Sequence, residues 1–139
     1  MGLVLDASVI VAAERGGKTV RSFFGMSFQR LATGDQRAVL SAIGLTELAH
    51  AIWRAQTLSQ RRMREQFIQD LLIDVEVVPY TRETAMLAGR IDGEQAARGI
   101  TIPSVDLLIG ATALQVGYSV ATANLRHFQL IPGLGVIRL

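Results

Sequence analysis

The sequence predicts a three-layer α/β/α domain with a mostly parallel sheet of about five strands. Two observations lead to this prediction. Short, continuously apolar runs alternate along the chain with longer segments of helical periodicity. Half of the 139 residues are hydrophobic and 19% are charged, which is typical of a chain with a buried core rather than of a disordered one. With no internal repeat and no linker-like segment, we expect one domain over residues 1–139.

The predicted strands are short apolar runs, typical of strands that are buried on both faces of a parallel sheet. They cover residues 3–5, 38–43, 75–78, 118–122 and 136–138, the last at an edge. The predicted helices cover residues 9–14, 18–32, 46–55, 59–73, 82–98 and 104–116. Glycines such as Gly99 and Gly117 mark helix ends, and Thr81 is a predicted N-cap. Trp53 falls among apolar residues at helical spacing, so we expect it in the core.

Composition excludes several classes of function. The chain has no cysteine, which excludes disulfides, thiolate zinc sites and cysteine nucleophiles. The apolar start lacks a basic segment before it, so it does not resemble a signal peptide. The uncharged stretch 107–125 is long enough to span a bilayer, but its polar residues and Gly117 favour a helix followed by a strand. We therefore expect a soluble, cytoplasmic protein without a membrane segment.

Acidic and amide side chains follow the predicted strands. Asp6 follows the first strand, Glu47 is expected in the first turn of the helix after the second, and Asn124 follows the fourth. Asp106 lies in the first turn of the helix that Pro103 opens. Each of them alone has a simple structural explanation, since such side chains satisfy the free N–H groups and the dipole of a helix N-terminus.

Together these side chains predict a metal site. The carboxyl ends of parallel strands meet at one edge of a sheet, where ligands bind in folds of this class. Clustered carboxylates repel each other, and either protonation or a bound cation relieves that repulsion. Oxygen ligands favour Mg²⁺ or Mn²⁺, and Mg²⁺ held by carboxylates commonly serves phosphate chemistry.

At these residues the sequence resembles PIN-domain ribonucleases, and specifically the VapC-type toxins of toxin–antitoxin pairs. Four blocks match in order: LVLDASVIVAAE at 3–14, GLTELA at 44–49, IPSVDLLIGATA at 102–113 and ATANLRHF at 121–128. The resemblance implies a parallel sheet flanked by helices and a Mg²⁺- or Mn²⁺-dependent endoribonuclease. It also implies an RNA substrate, a homodimer and a small antitoxin, similar to VapB, that fills the active-site groove.

The resemblance assigns roles residue by residue. Asp6, Glu47 and Asp106 match the acidic metal-site residues, and Asn124 matches a fourth catalytic position that is Asp or Asn in the family. Two hydroxyls, on Ser8 and Thr122, match supporting residues. His127 stands where an acid often precedes the phenylalanine of the last block. The neutral Asn124 and His127 favour one firmly bound ion over two.

Alternatives remain open from the sequence alone. Two are excluded: a phosphatase with a strand-end aspartate needs a second aspartate where Ser8 stands, and a receiver module needs a lysine after a late strand, whereas the only lysine is Lys18. An RNA-processing nuclease outside a toxin pair and a non-catalytic binding scaffold stay compatible with the motifs. Of the 14 basic residues all but Lys18 are arginines, a residue that binds phosphate as a bidentate fork. Six basic residues lie near the first strand–helix connection or in the helix 59–73, and they either contact RNA or are solvated. They are Arg15, Lys18, Arg21, Arg61, Arg62 and Arg64.

Two further features have competing interpretations. The stripe of Phe23, Phe24 and Phe28 is either core or a surface for a partner. His50 follows Glu47 by one helical turn, but without a second histidine nearby we interpret it as structural.

Overall fold

The computed structural model of the protein describes residues 2–17, 19, 22 and 37–139. The predicted helix 18–32 falls almost wholly outside these residues, as do Lys18, Arg21 and the stripe of Phe23, Phe24 and Phe28. The described elements are β1 (Gly2–Leu5), α1 (Ala7–Arg15), β2 (Arg37–Ser41), α2 (Ala42–Trp53), α3 (Leu58–Asp74), β3 (Glu76–Val78), α4 (Arg82–Ala97), α5 (Ser104–Val116), β4 (Ser119–Thr122), α6 (Leu125–Phe128) and β5 (Val136–Arg138).

The described strands form one parallel sheet in the order β3-β2-β1-β4-β5. The first strand of the chain is therefore the centre of the sheet, with β2 on one side and β4 on the other. Apolar side chains on both faces of β1 fit this central position, since every residue of the strand is buried. The sheet class predicted from the sequence is confirmed, with β3 and β5 as the two edges.

Helices cover both faces of the sheet, which confirms the three-layer architecture. Leu3 and Leu5 of β1 pack against residues of α1, α2 and α3. Val4, which points to the opposite face, packs with residues of α4, α5 and α6. This alternation along one strand divides the described hydrophobic residues into two cores, one on each side of the sheet.

Local sequence signals set helix boundaries at two predicted positions, Thr81 and Gly117. The Thr81 side chain accepts a hydrogen bond from the Thr84 backbone N–H and caps α4. Gly117, at φ 75°, ends α5 in the left-handed region that glycine adopts without strain. That turn separates α5 from β4 and divides the uncharged stretch 107–125. Across the described residues, no helix is both long and apolar enough to cross a bilayer.

The predicted boundary between β2 and α2 is wrong. The strand ends at Ser41 rather than at residue 43, because the Ser41 side chain accepts a hydrogen bond of 2.9 Å from the Gly44 N–H and caps the helix. Ile43 lies in the helix, although β-branched residues favour strands. Glu47 consequently lies in the second turn of α2 and not in the first.

The prediction that Trp53 belongs to the core is also wrong, since the residue is 68% exposed. Leu48 and Ile52 fill the buried face of α2, and Trp53 lies one residue beyond Ile52, rotated by about 100° around the helix. The Arg61 guanidinium of α3 lies 4.8 Å from the centre of the indole ring, in cation–π contact.

Candidate active site

The predicted site residues line one cavity at the carboxyl edge of the sheet. Its volume is about 450 Å³. Asp6 follows β1, Glu47 projects from α2, and Asp106 from the first turn of α5. We call this space the acidic cavity; it is lined by Asp6, Ala7, Ser8, Val11, Ala12, Arg15, Glu47, Asp106 and Asn124. Thr122, at the end of β4, reaches the site through its hydrogen bond to Asp6.

Asp6 is buried and held by hydroxyl groups on either side. The Ser8 hydroxyl donates a hydrogen bond of 2.6 Å to Asp6 Oδ2, and the Thr122 hydroxyl donates one of 2.8 Å to the same oxygen. Both predicted supporting residues therefore contact the first acid directly. Neither hydroxyl occupies Oδ1, so the second oxygen of Asp6 stays available to a ligand from the cavity.

Backbone N–H groups fix the direction of these hydroxyl hydrogen bonds. The Ala123 N–H donates to Ser8 Oγ over 3.2 Å, and the Asn124 N–H donates to Thr122 Oγ1 over 2.9 Å. Because a carboxylate oxygen only accepts, each hydroxyl directs its proton to Asp6 and uses its own oxygen to accept from the backbone N–H. The turn after β4 thus orients the partners of a carboxylate that follows β1.

Glu47 has the opposite environment. Its side chain is half-buried, and Oε1 is buried without a hydrogen-bond partner among the described residues. Burial, followed by the charges of Asp6 and Asp106, raises the pKa of Glu47 to about 7. Without a cation, the Glu47 carboxyl therefore holds a proton through much of the acidic range.

Asp106 has a histidine as its partner, which the sequence analysis did not identify. His127 Nδ1 of α6 lies 2.7 Å from Asp106 Oδ2 and 3.1 Å from the Asn124 amide nitrogen. Burial raises the pKa of Asp106, and the hydrogen bond from His127 acts in the opposite direction. The three-residue spacing between Asn124 and His127 was the available signal, because residues at that spacing share a helix face.

The donor set of the acidic cavity suits a hard divalent cation. All three acids offer carboxylate oxygens, the ligands that Mg²⁺ and Mn²⁺ prefer, and the unpartnered Glu47 Oε1 is an orphaned buried acceptor that a cation would satisfy. Within the described part of the chain, no group of three or more His, Asp or Glu side chains is arranged to hold an ion as it stands. Binding one ion with all three acids therefore requires side-chain movement.

Comparison with known proteins agrees with this architecture. The model of the PIN domain family matches residues 3–133. The chain is 32% identical to ribonuclease VapC1 of Rickettsia felis over 99% of its own length and 96% of that protein. It is 29% identical to the tRNA(fMet)-specific endonuclease VapC of Salmonella typhimurium, over 78% of this chain and 80% of that one.

A solved structure has the same fold. It is VapBC2 from Rickettsia felis bound to a DNA fragment from their promoter, with a TM-score of 0.85 and 20% identity. The match covers 100% of this chain and 99% of that chain. The chain therefore belongs to the PIN-domain family, and within that family to the VapC ribonucleases.

Proposed function

We propose that the protein is a Mg²⁺- or Mn²⁺-dependent endoribonuclease, the toxin of a type II toxin–antitoxin pair, which hydrolyses RNA phosphodiester bonds. The observation that supports this best is the acidic cavity, in which Asp6, Glu47 and Asp106 meet although they are distant in the chain. Ribonuclease relatives that align over nearly the whole chain support the same activity.

Each site residue has a role in this proposal. Asp6 and Asp106 would hold the ion, and Glu47 would hold it as well or orient the attacking water. A bound divalent ion lowers the pKa of a water ligand and polarises a phosphoryl oxygen. Ser8 and Thr122 hold Asp6 in position through their hydrogen bonds.

The neutral Asn124 adds no charge to the cavity. Its amide lies on the cavity wall, where it can orient a water or a substrate oxygen. This role needs no second ion, which agrees with one firmly bound ion in the free enzyme.

The partners follow from the same assignment. The substrate is RNA, and transfer RNA is the first to test, because one relative is named as a tRNA(fMet)-specific endonuclease. We propose a small VapB-like antitoxin that covers the cavity, a homodimer, and action in the cytoplasm, where translation-linked RNA is found. The VapBC2 complex is a solved case of such a pair.

Cleavage assays on bulk transfer RNA test the activity. The protein is incubated in EDTA, in Mg²⁺ and in Mn²⁺, and the products are separated by size. We expect no products in EDTA and discrete fragments with either ion. Intact RNA under every ion condition, with RNA binding retained, would instead support the non-catalytic scaffold.

A further inference from the structure

A second cavity of about 550 Å³ adjoins the acidic one and has the opposite charge. We call it the basic cavity; it is lined by Val11, Glu14, Arg15, His50, Ala51, Arg54 and Arg64. Val11 and Arg15 line both cavities, so the two share a wall along α1. Three guanidinium groups and one imidazole face a single carboxylate in this space.

Helical spacing connects the two cavities. On α2, Glu47 lines the acidic cavity, His50 and Ala51 follow one turn later, and Arg54 follows after the next turn. At 1.5 Å per residue, Glu47 and Arg54 are about 10 Å apart along the helix. One continuous helix face therefore leads from the acids to the arginines.

The arginines of the basic cavity differ in how they are engaged. Arg64 donates a hydrogen bond of 2.6 Å to the Ala51 carbonyl, and its Nε lies 4.0 Å from Glu14 Oε1. Arg15 and Arg54 are exposed and form no ion pair with a described residue. Glu14 thus offsets Arg64, which leaves Arg15 and Arg54 as positive groups for an external anion.

We propose that the basic cavity binds a phosphate of the RNA strand that flanks the phosphate held in the acidic cavity, with Arg54 and Arg15 as its ligands. This inference rests on the proposed ribonuclease function and adds the direction in which the strand leaves the site. Arginine binds phosphate through paired N–H donors, and such charge-assisted hydrogen bonds are stronger than neutral ones.

The neighbouring acids favour RNA over an acidic peptide as the occupant. A peptide carboxylate that extended from the basic cavity into the acidic one would meet Asp6 and Glu47. A nucleic acid strand presents a phosphate to each cavity, and a divalent ion can neutralise the one beside the acids. An alternative role for Arg15 and Arg54 is to complement the negative helix ends of α1 and α2, near which they lie.

The test measures binding of a fluorescein-labelled single-stranded RNA by the full chain in Mg²⁺, with Asp6→Asn in every protein to prevent cleavage. Arg54→Gln and Arg15→Gln are compared with Arg98→Gln, a matched control that removes an exposed arginine after α4, in the opposite helical layer. We expect each of the first two changes to raise Kd roughly ten-fold at low salt. The slope of log K against log salt should fall by about 0.7 for each lost phosphate contact, while Arg98→Gln changes neither quantity.

Kinetics of the proteins with Asp6 intact separate binding from chemistry. Arg54→Gln should raise KM for RNA and leave kcat unchanged, as expected for a group that binds substrate and transition state equally. Unchanged Kd, salt slope and KM in Arg54→Gln would overturn the inference while the wild-type protein still cleaves RNA, which leaves the ribonuclease proposal intact. Polyglutamate tests the acidic-peptide alternative. If polyglutamate binding needs Arg54 and RNA binding does not, the cavity binds an acidic protein partner and the inference is overturned.

Discussion

Two acids of the acidic cavity, Asp6 and Glu47, are both removed from water to some degree but differ in their hydrogen-bond partners. Asp6 is only 5% exposed, yet two hydroxyls donate hydrogen bonds to it. Glu47 is less deeply buried, but its Oε1 has no partner among the described residues, and its pKa rises to about 7. The fold thus supplies hydrogen-bond donors to Asp6, whereas burial without such a donor, together with the charges of Asp6 and Asp106, raises the pKa of Glu47.

The difference has a functional meaning. Unsatisfied buried polar groups are costly and concentrate at functional sites. On the Asp6 side the fold provides donors in advance, and on the Glu47 side it leaves an acceptor for a ligand to satisfy. In the proposed enzyme that ligand is the divalent ion. The unpartnered oxygen therefore lowers the stability of the free protein and favours binding of the ion.

The largest expected effect is on the Asp6 side. Asp6→Asn removes one carboxylate oxygen of the proposed ion site while keeping a similar shape, and we expect RNA cleavage to fall by about 10³-fold, the order seen when a group that stabilises a charged transition state is removed. The measurement is initial cleavage rate in Mg²⁺ and in Mn²⁺. Asp92→Asn, at an exposed acid of α4, is the matched control and should cleave like the wild type. Retained activity in pure Asp6→Asn protein would refute the assignment of Asp6.

The next effect tests whether the hydroxyl partners matter. Thr122→Val removes the donor to Asp6 and leaves the Asn124 N–H without its acceptor. We expect the free energy of unfolding to fall by about 1–3 kcal/mol and cleavage to fall by roughly ten-fold or more. Thr112→Val is the control, because that buried hydroxyl donates to the Leu108 carbonyl at 2.8 Å, outside the site. If both variants lose stability and both cleave normally, Thr122 has only a structural role.

The raised pKa of Glu47 predicts that the stability of the protein depends on pH when no divalent ion is bound. A carboxyl whose folded pKa is raised from 4.5 to about 7 binds more protons in the folded state, so stability is highest below about pH 4.5 and falls as pH rises to about 7. Glu47→Gln removes this loss of stability at higher pH. In EDTA the variant should be more stable than the wild type by about 1–2 kcal/mol near pH 8, after discounting for solvent screening, and equal to it at acidic pH near 4.

Thermal unfolding midpoints in EDTA and in Mg²⁺ provide that measurement. Since an ion that binds only the folded state stabilises it, Mg²⁺ should raise the midpoint of the wild type more than that of Glu47→Gln. Identical pH profiles for the two proteins would contradict the comparison between the two sides.

The smallest expected effect concerns Asp106, whose single side-chain partner makes it intermediate between Asp6, with two donors, and Glu47, whose Oε1 has none among the described residues. His127→Ala removes its hydrogen-bond partner, and we expect a loss of cleavage of about two- to ten-fold, the value of one ordinary hydrogen bond. Gln129→Ala, two residues away and exposed, is the control. A gain of activity in His127→Ala would mean that the histidine restrains Asp106 from the ion rather than positioning it.

Much of the fold could be predicted from the sequence because the signals are local. Thr81 and Gly117 mark helix ends by their own backbone and side-chain chemistry, and buried strands show as apolar runs. Local signals also misled. Ile43 favours a strand, but the cap that Ser41 forms starts the helix before it. Trp53 shares helical spacing with core residues, yet its position on the last turn of α2 leaves it in solvent.

Asp6 and Glu47 were predictable together, because polar side chains that follow parallel strands gather at one edge, and Asp106 joins them from the start of a helix. Their individual environments were not predictable. One of the two hydroxyl partners of Asp6 is Thr122, 116 residues away, and the partner of Asp106 is His127 on another helix. Solvation and hydrogen bonding depend on such distant residues, and sequence spacing contains no measure of either.

The amino-acid sequence by itself determined the order of strands and helices and which acids stand at the strand ends, since backbone propensity and side-chain periodicity act over a few residues. The tertiary structure alone decided that Asp6 is satisfied, that Glu47 is not, and that a basic cavity shares a wall with an acidic one. These properties arise only when elements far apart in the chain pack together, exclude water and bring their charges within a few ångströms of each other.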